Sequence, residues 1–494
     1  MQSYKDHMRT TTSVSSDDDS ISLYYHLSRH PTTLKPWART ISASAYIMAG
    51  TFSHHLNGLS MVITLFSLIQ NTTITTPLAS RIYTAASAID PAIQQLDFDF
   101  TYSTKVGGYF GILDSTRLHI ALCLFDHITN QTRYKNRVGD FFDWRGNAGN
   151  ANIPVLESQL EIRDTSVEYG YAAFHAYLAY HNSTFLQLAE EAWNRANKLV
   201  ISDQNLDVWD SLCPLNREAR SFSDLLHHFR GKTSWRFPGG LGTVDNATYY
   251  IGANVNGKFL ALSGLLAKET FNRTYVTAAK STAAFMTNNM FRGRSTGNPQ
   301  SIHVFNNCTV SFDNPTAENT AWWIDGVSLL TAIDTQGSPS AMDLYSPSPR
   351  IPRLKQAIVG PANTNWINEY GILDTVSIDR GHVVSAITQA YGRMNQSTGK
   401  DLQSYISTFV AVQHNAVVNN ARAPNSNLYR EWTVTTSPGP AAFDIGNQVS
   451  AIYALLAGIS LPDQKSVDPT VETPTGPTSI ETGSTTNPVH TPEE

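Results

Sequence analysis

GANVNGKFLALSGLLAKETFNRTYVTAAKSTAAFM, residues 252–286, decides the fold. Its apolar residues recur at i, i+3, i+4 and i+7, the period of a helix with one buried face. The run breaks at FNRT (271–274) and then resumes with the same period. A link that short joins antiparallel neighbours, so the stretch reads as a helical hairpin. AAFHAYLAYHNSTFLQLAEEAWNRANKLV (172–200) repeats the pattern around HNST (181–184).

Carried outward, the same period predicts helices over 79–96, 113–129, 134–143, 164–181, 185–199, 252–268, 274–290, 317–334, 352–360, 379–395, 400–418 and 442–459. Their connections alternate between short and long. The long ones, 200–251 and 291–316, carry Pro, Gly, Trp and possible short strands. Long irregular links of this kind are usually functional. Twelve helices in such pairs imply an all-α chain, either a closed ring of six hairpins, an (α/α)6 barrel, or an open solenoid. The absence of a fixed sequence period and of a polar capping repeat favours the ring over 78–462.

The second helix of each pair opens alike: DSTRLHIALCLF (114–125), DTSVEYGYAAFHAYLAY (164–180), NVNGKFLALSGLL (254–266), ENTAWWIDGVSLL (318–330), DRGHVVSAITQAY (379–391) and DIGNQVSAIYALL (444–456). Capping alone explains an Asp or Asn at a helix start, because the side chain accepts the free N–H groups of the first turn. In a ring of hairpins, however, the inner helices run the same way. Their polar starts then converge on one mouth, where positive dipole ends favour carboxylates.

The chain of 494 residues is 41% hydrophobic and 15% charged, with net charge −6. No basic stripe points to nucleic acid. No apolar run reaches the ~18 residues of a membrane span. No His spacing suits a metal, and no cofactor is expected. Asn71, Asn130, Asn182, Asn246, Asn272, Asn307 and Asn395 each head an N-x-[ST] tripeptide. Seven such acceptors read as a secreted, N-glycosylated protein. Residues 1–77 read as a poorly structured extension, with a signal-peptide-like core near 61–69 and the natural start at Met61. The Thr/Pro/Ser-rich tail 463–494 cannot bury a core. Of three cysteines, Cys213 and Cys308 in long loops are expected to form a disulfide, and Cys123 in HIALCLFDH to be buried.

The order of these motifs resembles glycoside hydrolase family 76. The 252–286 hairpin is similar to that family's Asn-Gly helix start and following hairpin. NTAWWIDGVSLL (319–330) is similar to its "YNqG" helix, and FPGGLGTV (237–244) to its Gly-Gly loop. The resemblance spans roughly 80–460 and is nearest to divergent members from mushroom-forming fungi. It implies a six-hairpin fold and action on α-1,6-mannan by hydrolysis or transglycosylation, by a monomer binding carbohydrate. The family's adjacent Asp-Asp pair falls on Asp164-Thr165. Asp164 would then be the nucleophile, and Thr165 cannot supply a proton. Glu168, one turn on, or Asp325 would serve as acid/base, since i and i+4 share a helix face. Candidate sugar contacts around the groove are Tyr169, Tyr250, Asn256, Asn319, Trp322, Asp379 and Trp432. The missing second Asp leaves one alternative, a catalytically inactive member kept as a glycan-binding wall module.

Overall fold

The structure is a computed structural model that describes residues 72–106, 109–148, 161–198, 200, 243–245, 248–291, 298–305, 310–336, 350–359, 366–375, 377–393, 400–432 and 443–462. The signal-like core near 61–69, the tail 463–494, Cys213 and Cys308 lie outside these residues. Among them no helix is long and apolar enough to cross a membrane.

Twelve α-helices follow one another among the described residues. They are α1 (Leu78–Val106), α2 (Tyr109–Thr129), α3 (Lys135–Ala148), α4 (Glu161–Tyr180), α5 (Ser183–Asn197) and α6 (Ala253–Thr270). Then come α7 (Arg273–Asn289), α8 (Ala317–Gln336), α9 (Arg350–Val359), α10 (Ser377–Arg393), α11 (Lys400–Ala416) and α12 (Ile445–Ser460). A π-helical turn, Val417–Ala421, extends α11. Every helix expected from the sequence is present. The largest departure is α1, whose backbone stays helical to Val106 rather than ending near 96.

Odd and even helices differ in how they are buried, and that difference builds the ring. On α5 the buried residues are Phe185, Ala189, Ala192, Trp193 and Ala196, a single stripe. On α6 every residue from Val255 to Ala267 is buried. A helix apolar all round must be enclosed, and one with a single stripe lies outside. Accordingly α2 packs on α4, α4 on α6, α6 on α8, α8 on α10, α10 on α12, and α12 back on α2. The odd helices seal the seams from outside: α5 lies against α4 and α6, α7 against α6 and α8, and α11 against α10 and α12. Trp193 shows how a seam is closed. Its ring stacks on Phe259 at 5.6 Å and its Nε1 donates to Ser263 Oγ at 2.7 Å. Burying a ring of that size stabilises by roughly 1.5–3 kcal/mol.

Inner helices this tightly enclosed need small residues where they cross. A Cβ on Gly257 would come within 2.5 Å of Trp322 Cβ, and one on Gly326 within 2.5 Å of Leu260 Cγ. The two glycines thus give α6 and α8 reciprocal close approach. Cys123 is wholly buried in α2 as a free thiol, its expected state.

The long links before α6 and α8 are joined by a small sheet. It holds β1 (Thr243–Asp245), β2 (Thr248–Ile251), β3 (Ile302–Phe305) and β4 (Val310–Phe312), antiparallel in the order β1-β2-β3-β4. Tyr250 on β2 is paired with His303 on β3. The sheet therefore ties two neighbouring inner-helix entrances together.

Candidate functional site at the mouth of the ring

Charged side chains from the N-terminal halves of the inner helices meet towards one end of the ring. Arg117 of α2 donates from Nε to Glu168 Oε1 of α4 at 2.8 Å and from Nη2 to Glu318 Oε1 of α8 at 2.7 Å. Lys258 of α6 lies 2.7 Å from Glu168 Oε2 and 3.5 Å from Glu318 Oε1. Tyr453 of α12 donates to the carbonyl of Arg117 at 3.0 Å. Asp379, in the first turn of α10, is half-buried and feels the charges of Glu318, Arg117, Lys258 and Arg380. Asp114 of α2 feels Arg117, Glu168 and Asp444, the residue that caps α12. All six inner helices thus contribute to one mouth.

Burial and charge sort these carboxyls into two kinds. Burial alone would raise Glu168, yet Lys258 and Arg117 outweigh it and hold the carboxyl down to about 2. Glu318 is lowered likewise against its own burial, again by Lys258 and Arg117. Asp379 is pushed up to about 7, first by burial and then by Glu318. Asp114 is pushed up to about 6, chiefly by burial. Beneath them His382 is lowered to about 4 by burial and then by Arg117.

Opposite shifts give opposite pH dependences. A carboxyl raised on folding adds stability that is full below its unfolded value and lost as pH rises through the folded one. Asp379 therefore contributes below about 3.8 and loses that contribution as pH rises through about 7. Asp379→Asn should gain stability relative to wild type between pH 4 and pH 8. His382 behaves the other way: the buried neutral ring supports the fold above 6.5 and loses that support as pH falls through about 4. His382→Gln should flatten the acid side of the profile. Denaturant unfolding across pH reads both, and a pair of differences with the same sign contradicts the assignment.

The floor of the mouth is aromatic and closed. Trp322 is fully buried, with Lys258 Nζ 5.6 Å above its ring, the His382 ring at 4.2 Å and the Tyr171 ring at 4.9 Å. It is part of the plug rather than an open sugar platform. Deeper still, Asp325 accepts from Tyr171 Oη at 2.8 Å and pairs with Arg393. Asp325 lies eight residues into α8, roughly 12 Å below the helix start. Buried and fully engaged, it has no free oxygen to offer a ligand at the mouth.

Other expected site residues take structural posts. Glu168 is wholly buried and held anionic, so it has no proton to give and does not fit the acid/base role expected of it. Asn256 is buried and donates to Gly252 O at 2.7 Å, fastening the start of α6. Asn319 is buried near Pro299 O. Tyr169 packs against Phe142 of α3 at 5.1 Å, away from the ring axis. Tyr250 donates to Ser301 Oγ at 3.1 Å on the sheet. Trp432, expected at the rim, is fully buried, with Arg380 above its ring at 5.6 Å. Its indole is too large an apolar surface to leave in water when Arg380 and Gln413 enclose it. Of the expected residues whose side chains are described, only Glu168 and Asp379 meet in the mouth cluster. Asp164 and Thr165 fall in the first turn of α4, of which the backbone alone is described.

Arg117, Lys258 and Glu318 were not expected, yet a signal for them exists. Each is a charge in the first half of a helix whose neighbouring residues are mostly buried. A charge there cannot reach water along its own helix and must find a partner across the ring.

No family model and no curated protein matches the sequence. Solved structures do match in shape. An inactive variant of an α-1,6-mannanase from Salegentibacter sp. HEL1_6, with two adjacent aspartates changed and in complex with α-1,6-mannotriose, superposes with TM-score 0.53. Identity is 12%, over 70% of this chain and 89% of that one. A family 76 α-mannanase from Bacteroides thetaiotaomicron gives TM-score 0.50 at 14% identity, over 71% and 86% of the two chains. The fold is of the family 76 type. Within this family 76 type of ring, the even-numbered inner helices of the present chain, α2 to α12, bring polar and charged side chains to a single mouth.

Proposed function

We propose that the chain is a glycoside hydrolase or transglycosidase of α-mannan-type glycans, working at the mouth of the ring. The observation that carries this reading is the split among the mouth carboxyls. Glu168 and Glu318 are held anionic, while Asp114 and Asp379 are pushed up to about 6 and about 7. Carboxyls pushed apart in this way are what acid/base sugar chemistry uses. The α-1,6-mannotriose bound to the Salegentibacter mannanase, which shares the fold, supports a mannose polymer as the ligand class.

In this reading Asp164, one turn before Glu168 on α4, attacks the anomeric carbon as the glycosidic C1–O bond breaks. Asp379 gives its proton to the leaving oxygen, the step Thr165 cannot perform. Water or a second sugar hydroxyl then attacks the glycosyl ester, returning its proton to Asp379 and freeing Asp164. The Arg117–Glu168–Lys258–Glu318 lattice fixes the helix starts and sets the field at Asp379. The natural setting proposed is a fungal cell wall, reached by secretion, with the chain a monomer.

Product analysis with α-1,6-mannotetraose tests this. Shorter oligosaccharides of retained anomeric configuration are expected, with longer ones if transfer competes with hydrolysis. Binding without turnover would instead favour an inactive glycan-binding module, the reading that Thr165 supports. Neither binding nor turnover would overturn both.

A further inference from the structure

We propose that Asn130, Asn182 and Asn272 carry N-linked glycans and make the end of the ring opposite the mouth a glycosylated face, which requires the chain to pass through a secretory lumen. The three asparagines lie in corresponding turns, those that lead from α2 to α3, from α4 to α5 and from α6 to α7. α2, α4 and α6 each end on a left-handed residue, Asn130 (φ 52°) itself in the first turn and His181 (φ 53°) and Phe271 (φ 56°), just before Asn182 and Asn272, in the others. That residue turns the chain outward in one step, which lifts the next residues into solvent. All members of the three tripeptides, Asn130-Gln131-Thr132, Asn182-Ser183-Thr184 and Asn272-Arg273-Thr274, are exposed.

Side-chain contacts show that the three turns are neighbours. His127 Nδ1 lies 3.2 Å from Leu178 O, joining the first turn to the second. Tyr177 Oη donates to Glu269 Oε1 at 2.7 Å, joining the second to the third. From Arg117, Glu168 and Lys258 at the mouth, each acceptor is 13 or 14 residues along its helix. At 1.5 Å per residue that is ~20 Å from the mouth in all three cases.

The local chemistry suits the modification. Asn182 Oδ1 accepts from Thr184 N at 3.0 Å, and Asn272 Oδ1 accepts from Thr274 N at 2.9 Å. Glycosylation takes place at Nδ2, so both helix caps survive it. An oligosaccharide on a polyprenyl diphosphate supplies the sugar. Its C1–O bond to the diphosphate breaks, a C1–Nδ2 bond forms, and the amide gives up one proton as the polyprenyl diphosphate leaves. Beside Asn272, the Phe271 ring is 85% exposed, an apolar surface that nothing in the ring covers among the described residues. The C–H face of a first sugar on Asn272 would cover it.

The test uses the full chain secreted from a yeast host behind an appended leader. Endoglycosidase trimming and peptide mapping should find a residual N-acetylglucosamine on Asn130, Asn182 and Asn272. Secreted, folded protein with these three sites bare would overturn the proposal. Trimming should also leave the affinity for α-1,6-mannotetraose within about twofold, since the glycans stand far from the mouth. A loss or gain of about tenfold on trimming would overturn the assignment to the opposite face. If the wild type binds no mannan oligosaccharide, site occupancy still decides the proposal, so its failure is distinct from failure of the functional reading.

Discussion

Lys258→Met is expected to destabilise the fold by about 3–5 kcal/mol, the usual cost of leaving a buried charge without its partner. Lys258 and Glu168 are both fully buried and 2.7 Å apart. Methionine fills most of the space but supplies no charge, so Glu168 would be left with Arg117 alone. The double variant Lys258→Met, Glu168→Gln should recover part of the loss, because it removes the stranded anion as well. Acid should expose the same linkage. Glu168 is depressed on folding from 4.5 to about 2, so its contribution is present above 4.5 and lost as pH falls through about 2. That shift corresponds to roughly 3 kcal/mol at neutral pH. Urea unfolding of the single and double variants measures these terms. A loss below about 1 kcal/mol for Lys258→Met would mean that the mouth admits water around these charges.

Asp164→Asn should reduce turnover of mannan oligosaccharides by about 10⁴-fold or more, the scale seen when a nucleophile is removed. Its melting temperature should stay nearly unchanged, because Asn and Asp have similar propensities inside a helix. The pairing of those two outcomes is what separates chemistry from a structural role. A residue with only a structural role in the first turn of α4 would give an active Asn variant. Full activity in Asp164→Asn would remove Asp164 from the reaction.

The architecture was legible because burial imposes two different sequence patterns on the two layers. One stripe on α5 and an unbroken apolar surface on α6 are visible without coordinates, and their alternation implies pairs. The site was less legible for a related reason. Arg117, Glu168, Lys258 and Glu318 come from four different helices, and no local spacing announces that they meet. Helix starts rich in Asp and Asn did point to the end of the ring where these charges meet. They could not distinguish a side chain that fastens its own helix, as Asn256 does, from one that faces the cavity. Aromatics misled for want of depth information: Trp322 and Trp432 lie two residues or fewer from polar neighbours in sequence, yet both are fully enclosed.

The way the ring shuts has a consequence for the order of its parts. Arg81, near the beginning of α1, donates to the carbonyls of Gly458 and Leu461 at the end of α12, so the first and last helices are clasped together. Every hairpin then has the same two neighbours wherever the polypeptide is taken to begin. A covalent join near that clasp and a cut at an exposed turn such as His181-Asn182 would yield a permuted chain with the same set of helix neighbours. Sequence order is, for this molecule, a convention imposed on a circle, and gene rearrangements that rotate the hairpins need not disturb the mouth they enclose.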